Sequence, residues 1–260
     1  MRIVVIGGTG FIGAQVAESL RSSGHDAVSA APSTGVDAFS GDGLAAALAG
    51  ADAVIDVSDS PTRDPDGMLA FFTASARNIA AAERSAGVGH HVLLSIVGID
   101  RVPNSAYYRA KLAQEEAARS GGLGLPVTVL RATQFATFGR QIADRATIDG
   151  LAKVPPVLVQ PVAPAEVAAE LVRLAVERAP AGTVEIAGPE VVRLDDVMRG
   201  TFEILGDPRE VETDATSPLM GTDGAPEAAL IPDPASGHPL TIGRATWRDV
   251  LAEAAASQAS

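Results

Sequence analysis

Two residues four apart carry the most specific chemistry in this chain. The stretch "YYRAK", Tyr107 to Lys111, holds both of its tyrosines and one of its two lysines, against eighteen arginines. On a helix, positions i and i+4 share a face, so Tyr107 and Lys111 are expected side by side, with Tyr108 and Arg109 on other faces. A free tyrosine has a pKa of about 10 and is a poor acid or base at neutral pH. A neighbouring ammonium favours the phenolate and would lower that value. The compact lysine can also donate to ribose hydroxyls, where the flat fork of an arginine fills space differently. Ser95 falls late in the apolar run "HHVLLSIVGI". There its hydroxyl could bond a substrate carbonyl oxygen while Tyr107 supplies the proton.

The second signal is "IGGTGFIG", with Gly7, Gly10 and Gly13 spaced GxxGxxG and Gly8 and Thr9 between them. It follows the buried-strand pattern "RIVVI" and opens a helical pattern, the context a dinucleotide loop needs. Glycines permit the tight turn and let backbone approach a pyrophosphate. The helix N-terminus then offers N–H groups and a positive dipole end. Phe11 and Ile12 are expected to pack beneath the loop. An acidic residue about 20 positions on would bind ribose hydroxyls and favour NAD. The sequence reads "SAAPST" there, so the expectation leans to NADP(H), with Ser33 and Thr34 available to a 2′-phosphate. Asp42, after an expected third strand, could meet the adenine amino group or cap the following helix. Ser58, in "DVSDSP", is placed beside the phosphate and ribose or in an ordinary strand-end turn.

Stepping outward, these residues need a scaffold. Strand-like runs at Arg2–Ile6, Asp26–Ala31, Asp52–Ser58, His90–Ile99 and Pro126–Ala132 alternate with helical runs. That alternation predicts βαβ units and a doubly wound parallel α/β sheet. After Thr133 the pattern loosens. Helices are expected near 135–149, 164–178, 195–205 and 244–256, and strands near 157–162 and 183–186, while 206–243 has no clear assignment. The expected organisation is a nucleotide-binding domain over 1–133 and a smaller substrate-binding lobe over 134–260.

Composition narrows the partners. A formal charge of −12 argues against nucleic acid and anionic membrane. With no cysteines there is no disulfide, thiolate nucleophile or cysteine–zinc site. The N-terminus has no signal-peptide pattern and no window reaches the roughly 18 apolar residues of a membrane helix, so a cytoplasmic monomer or homodimer is expected. His90 and His91 are adjacent on a strand and face opposite sides, so no metal site is expected. Asp195 and Asp196 fit a helix N-terminus. Phe71, Phe72, Phe202 and Trp247 read as packing residues.

Taken together, GGTGFIG, the strand serine and YxxxK resemble a short-chain dehydrogenase/reductase. "LSIVGIDRVPNSAYYRAKLAQEE", "VTVLRATQF" and "VPPVLVQPVAPAEVAAEL" are similar to its atypical, NmrA-like NAD(P)H-binding branch, over about residues 1–175 and fading by 205. The resemblance implies a Rossmann-type fold, with Gly7, Gly10 and Gly13 on the pyrophosphate. It implies Ser95 orienting a carbonyl, Tyr107 as acid/base, and Lys111 binding ribose and tuning Tyr107. It places Thr133 at the nicotinamide and Gln134 at the start of the substrate pocket, which Phe135 and Phe138 could also line. Asn78 sits where related proteins keep an asparagine, and equally fits a packing role. "LRATQF" lacks the proline common in the family at that place. The leading reading is an NAD(P)H-dependent oxidoreductase acting on a small carbonyl-like or quinone-like substrate. A non-catalytic NADP-sensing protein and an NAD-dependent epimerase or dehydratase stay open.

Overall fold

Strands and helices alternate along the chain in the computed structural model, which describes residues 1–121, 124–218 and 226–258. The first half runs β1 (Arg2–Ile6), α1 (Phe11–Ser22), β2 (Asp26–Ala30), α2 (Leu44–Leu48), β3 (Ala53–Asp56), α3 (Pro65–Ala86), β4 (His91–Ile96), α4 (Ala106–Gly121) and β5 (Val127–Ala132). The second half runs α5 (Gly139–Ala146), β6 (Thr147–Ile148), β7 (Leu151–Val154), β8 (Leu158–Val159), α6 (Pro164–Glu177), β9 (Gly182–Ala187), β10 (Val192–Arg193), α7 (Leu194–Leu205), β11 (Glu210–Thr213), β12 (Leu240–Ile242) and α8 (Trp247–Gln258). The main sheet is parallel and seven-stranded, in the order β12-β9-β5-β4-β3-β1-β2. The chain starts in β1, lays β2 on one side and then crosses to β3 on the other. That makes the β1/β3 junction the switch point, outside whose carboxyl ends ligands bind in such sheets.

The chain divides into two compact units. The first comprises 1–95, 106–131 and 165–184. β1 and β3 are fully buried apart from Arg2, which is why they read as unbroken apolar runs. One layer of the core joins Val4, Ile6, Leu44, Leu48, Val54 and Ile79. Another sets Ala76 of α3 and Ala117 and Ala118 of α4 against Leu93, Val127 and Val129. Full burial of a side chain such as Ile79 stabilises by roughly 2 kcal/mol. α3 begins on Asp64, whose side chain accepts from Gly67 N, and ends at Gly87 in the left-handed conformation.

The second unit comprises 96–105, 132–164 and 185–260. Its β6–β7 hairpin turns on Asp149 and Gly150, both at positive φ, the backbone that a two-residue hairpin turn demands. β11 adds to β7 in parallel, and β8 pairs with β10. Phe202 of α7 and Trp247 of α8 are buried, and Gly200 leaves the space that Trp247 enters.

Three expectations change. The helix expected over 135–149 is a single 3-10 turn, Ala136–Phe138, followed by α5 and then β6. The strand expected before Asp42 is absent: residues 35–43 form turns, bent by Gly35, Gly41 and Gly43 at positive φ. The stretch 206–243 contains β11, β12 and a 3-10 turn at Pro234–Ser236, and 219–225 lie outside the described residues. Among the described residues no helix is long and apolar enough to cross a membrane.

Candidate active site

At the carboxyl end of β1 the chain turns at Gly7 and enters α1 at Phe11. A Cβ on Gly13 would stand 2.1 Å from Gly7 O and 2.7 Å from Gly8 Cα, so helix and loop touch through backbone alone. Gly7 itself, at φ 79°, abuts the end of β3: a Cβ there would meet Val57 O at 2.9 Å and Ser58 Cα at 3.0 Å. Gly10 N donates to Gly7 O at 2.9 Å, closing the turn. Among the described residues no side chain caps α1 at Gly10, and its first turn holds no acid. A helix start left open in this way, with Thr9 and Gly10 exposed, fits a pyrophosphate. Ile12 is buried as expected, whereas Phe11 is 55% exposed and does not pack beneath the loop. Position 11 is the first residue of α1 and points outward, while Ile12 and Gly13 are buried.

The other predicted nucleotide contacts scatter around this loop. Ser58 lies beside Gly7, and its Oγ is buried with no partner. An orphaned hydroxyl against the glycine turn is an acceptor or donor that a bound ligand would satisfy. Ser33 Oγ stands 3.4 Å from Thr9 Oγ1, joining the turn after β2 to the loop. Thr34 is committed locally, accepting from Ala31 N at 2.9 Å and donating to Ala31 O at 2.9 Å. Asp42 is exposed and accepts from Ser40 Oγ at 2.9 Å. Asn78 has a packing role: its amide donates to the Ala38 and Phe39 carbonyls and ties α3 to the turn before Asp42.

The helix α4 brings Tyr107 and Lys111 to one neighbourhood, but it gives them different partners. Tyr107 Oη donates to Asp59 Oδ1 at 3.1 Å, and its ring packs edge-on against Phe72 at 6.0 Å. Lys111 Nζ donates to Leu94 O at 2.9 Å and to Gln114 Oε1 at 2.5 Å, and lies 4.9 Å from the Phe72 ring centre. Gln114 donates on to Asp56 Oδ2 at 2.9 Å, and Asp56 Oδ1 accepts from Ser58 N at 2.9 Å. Lys111, Gln114 and Asp56 are all buried. Lys111 therefore braces, through Gln114 and Asp56, the segment that carries Ser58.

This corrects the expectation that Lys111 lowers the Tyr107 pKa. Burial pushes the phenol well above its ordinary value, and the Asp59 charge and hydrogen bond push it further, while Arg63 opposes them weakly. Burial lowers the Lys111 pKa, against the charges of Asp56, Asp59 and Glu115. Two of its three ammonium hydrogens are spent within the protein.

Ser95 needs a second correction. Its Oγ donates to Glu115 Oε1 at 2.6 Å inside the layer between β4 and α4, so it is committed there and not to a substrate carbonyl. Glu115 also accepts from Arg131 Nε and Nη2, both at 3.0 Å, and from Arg119 Nη1 at 3.1 Å. Burial alone would raise its pKa, but the Arg131 hydrogen bonds and charge, then Ser95 and Arg119, hold it below the usual carboxylate value. Sequence reading missed Asp59, Arg63, Gln114, Glu115 and Arg131. Two signals were present: Arg131 stands in the buried strand "VTVLRA", where a charge demands a partner, and Glu115 follows Lys111 by four.

The residues expected at the nicotinamide and the substrate pocket lie in the second unit. Thr133 Oγ1 donates to Gln160 O at 2.6 Å, so its hydroxyl is committed within the lobe. Gln134 Nε2 donates to Leu230 O at 3.3 Å, while its Oε1 is buried without a partner. Phe135 and Phe138 stack edge-on at 5.0 Å. His90 pairs with Thr128 at 2.9 Å and His91 with Glu83 at 2.6 Å, on different elements. Among the described residues no cluster of three or more His, Asp or Glu is placed to hold a metal ion.

Comparison with known proteins follows the same lines. A family profile described as NAD(P)H-binding matches residues 7–177. No curated protein matches the sequence. Among solved structures the chain is similar to an enzyme of Bordetella bronchiseptica, WbmH, in complex with NAD+ (17% identity, 99% of this chain and 98% of that one, TM-score 0.74). It is similar to dTDP-4-dehydrorhamnose reductase of Yersinia enterocolitica (14%, 98% and 99%, TM-score 0.71). It is also similar to UDP-N-acetylglucosamine 4-epimerase of Bacillus cereus (16%, 100% and 100%, TM-score 0.69). At these identities the likeness establishes the fold.

Proposed function

The chain belongs to the NAD(P)H-binding family, and on that premise we propose that it is a pyridine-nucleotide-dependent reductase of small carbonyl-like or quinone-like substrates. The observation that carries this reading is the segment Val57–Asp59 at the switch point. Its first two residues touch the Gly7 turn, and its third accepts the Tyr107 hydroxyl. The glycine loop and the proton donor thus both rest against one short piece of chain.

The nicotinamide nucleotide, when bound, supplies hydride chemistry. The chain's own residues do the rest. The Gly7–Gly13 backbone and the open start of α1 bind the pyrophosphate, and Ser58 Oγ is free to bond the nucleotide beside it. Lys111, Gln114 and Asp56 hold the segment rigid. Tyr107 keeps its proton at Oη through neutral pH, because burial and Asp59 disfavour the phenolate. The alkoxide oxygen that forms when a carbonyl is reduced is a far stronger base than a phenolate, so transfer from Tyr107 to it is favourable. The same protonated state makes Tyr107 a poor base, which favours reduction over the oxidation that an epimerase performs first.

The 3-10 turn Pro32–Thr34 after β2 offers Ser33 and no carboxylate, which supports NADP(H) over NAD(H). Turnover of aldehydes, ketones and quinones with NADPH and NADH tests the reading, alongside Tyr107→Phe. The variant should lose about 10²–10⁴ in kcat with nucleotide affinity unchanged. A wild-type chain that binds NADPH and reduces nothing would favour a sensor, and equal turnover by Tyr107→Phe would remove Tyr107 from the chemistry.

A further inference from the structure

Tyr107 belongs to α4, yet its hydroxyl is held by the turn after β3. Asp59 Oδ1 accepts from Tyr107 Oη at 3.1 Å and from Ser60 N at 2.9 Å. Asp59 Oδ2 accepts from Arg63 Nη2 at 2.8 Å. Arg63 is anchored in turn, since Nη1 donates to Ser60 O at 2.8 Å and the guanidinium stands 5.7 Å from the Tyr107 ring centre. The turn is pinned at both ends. Asp56 binds Ser58 N before it, and Asp64 caps α3 after it, accepting from Gly67 N at 2.8 Å. The carboxylate is therefore oriented without help from a ligand.

The structure assigns Asp59 as a positioning residue that keeps the Tyr107 hydroxyl in its protonated, donating form, with Arg63 fixing the carboxylate for that task. This rests on the reading of Tyr107 as proton donor. An ionised carboxylate only accepts, so it pairs with a phenol and repels a phenolate. At rest the hydroxyl hydrogen points at Asp59. A substrate oxygen that develops negative charge competes for it, and rotation about the phenolic C–O bond hands the proton over. The charged or titratable groups that reach Tyr107 are Asp59 and Arg63 from the turn and Tyr108 from its own helix. Phe72 of α3 packs against the ring and brings no charge.

The chain has two tyrosines, so both can be followed by NMR in the full-length protein labelled with ¹³C-tyrosine, titrated without nucleotide over the folded pH range. Wild-type Tyr107 should ionise above the value of about 10 for free tyrosine, or not at all within that range. Asp59→Asn removes the repelling charge and should move the midpoint down by at least about one pH unit. Arg63→Gln removes the compensating charge and should move it up. In turnover, the alkaline limb of kcat should follow the same direction in Asp59→Asn. A Tyr107 midpoint unchanged by Asp59→Asn overturns the assignment. So does a wild-type midpoint at or below the free value, which needs no variant to fold. The titration does not depend on turnover, so an inert Tyr107→Phe comparison and a failed titration remain separate results.

Discussion

Ser95 Oγ donates to Glu115 Oε1 at 2.6 Å, with both residues buried. The serine hydroxyl thus completes a carboxylate held by two arginines and has a structural task. Ser95→Ala should cost about 1 kcal/mol of stability in urea unfolding and leave kcat/KM within a few-fold of wild type. A loss of activity well beyond that, with stability intact, would return Ser95 to the substrate. Glu115→Gln should cost more, about 3–5 kcal/mol, because Arg131 would be left as a buried charge without its counter-ion. The folded pKa of Glu115 is depressed, so its contribution is present above the ordinary carboxylate value of 4.5 and is lost as pH falls through the lower folded value.

Gly13 and the Gly7 carbonyl are in backbone contact, and no side chain fits between them. Gly13→Ala would place a Cβ 2.1 Å from Gly7 O, so α1 must shift away from the loop. Stability should fall by about 1–3 kcal/mol. Calorimetric titration with NADPH should show affinity at least about tenfold weaker, or about 1.4 kcal/mol. A variant binding within twofold of wild type would contradict the glycine loop as the pyrophosphate cradle.

His91 Nδ1 lies 2.6 Å from Glu83 Oε1, with both side chains buried between β4 and α3. Burial alone would lower the imidazole pKa, but the Glu83 charge and hydrogen bond, then the Asp56 charge, outweigh it and raise the value above the ordinary 6.5. A raised folded pKa means that the stabilisation is full below pH 6.5 and disappears as pH rises through the folded value. Glu83→Gln should therefore lower stability by about 3 kcal/mol at pH 6, and the gap to wild type should shrink toward alkaline pH. Thermal unfolding of both proteins from pH 6 to 9 reads this directly. A gap that does not change with pH would show that the pair carries no proton in the fold.

Much of this protein is legible from local pattern. The apolar runs "RIVVI" and "DAVIDVS" and the glycine spacing dictate β1, β3 and the loop between β1 and α1, because burial on both faces and a tight turn each impose a residue type. Another signal was present but not read: "IDGL" marks the β6–β7 hairpin through Asp149 and Gly150, yet it overlaps the end of the stretch 135–149 expected as a helix.

The sequence by itself determined the strands β1 to β5, the glycine loop and the placing of Tyr107 and Lys111 on one helix, since each depends on residues within a few positions of one another. Only the tertiary structure decided what those side chains touch. Tyr107 meets Asp59 across 48 positions, Gln114 meets Asp56 across 58, and Ser95 meets Glu115 across 20. Helical spacing put Lys111 beside Tyr107, but the ammonium followed the stronger local field, toward Gln114 and the buried Asp56, and left the phenol to a carboxylate on a different turn. A buried charge takes the partner that best offsets its desolvation, and packing between elements, not distance along the chain, decides which partner that is.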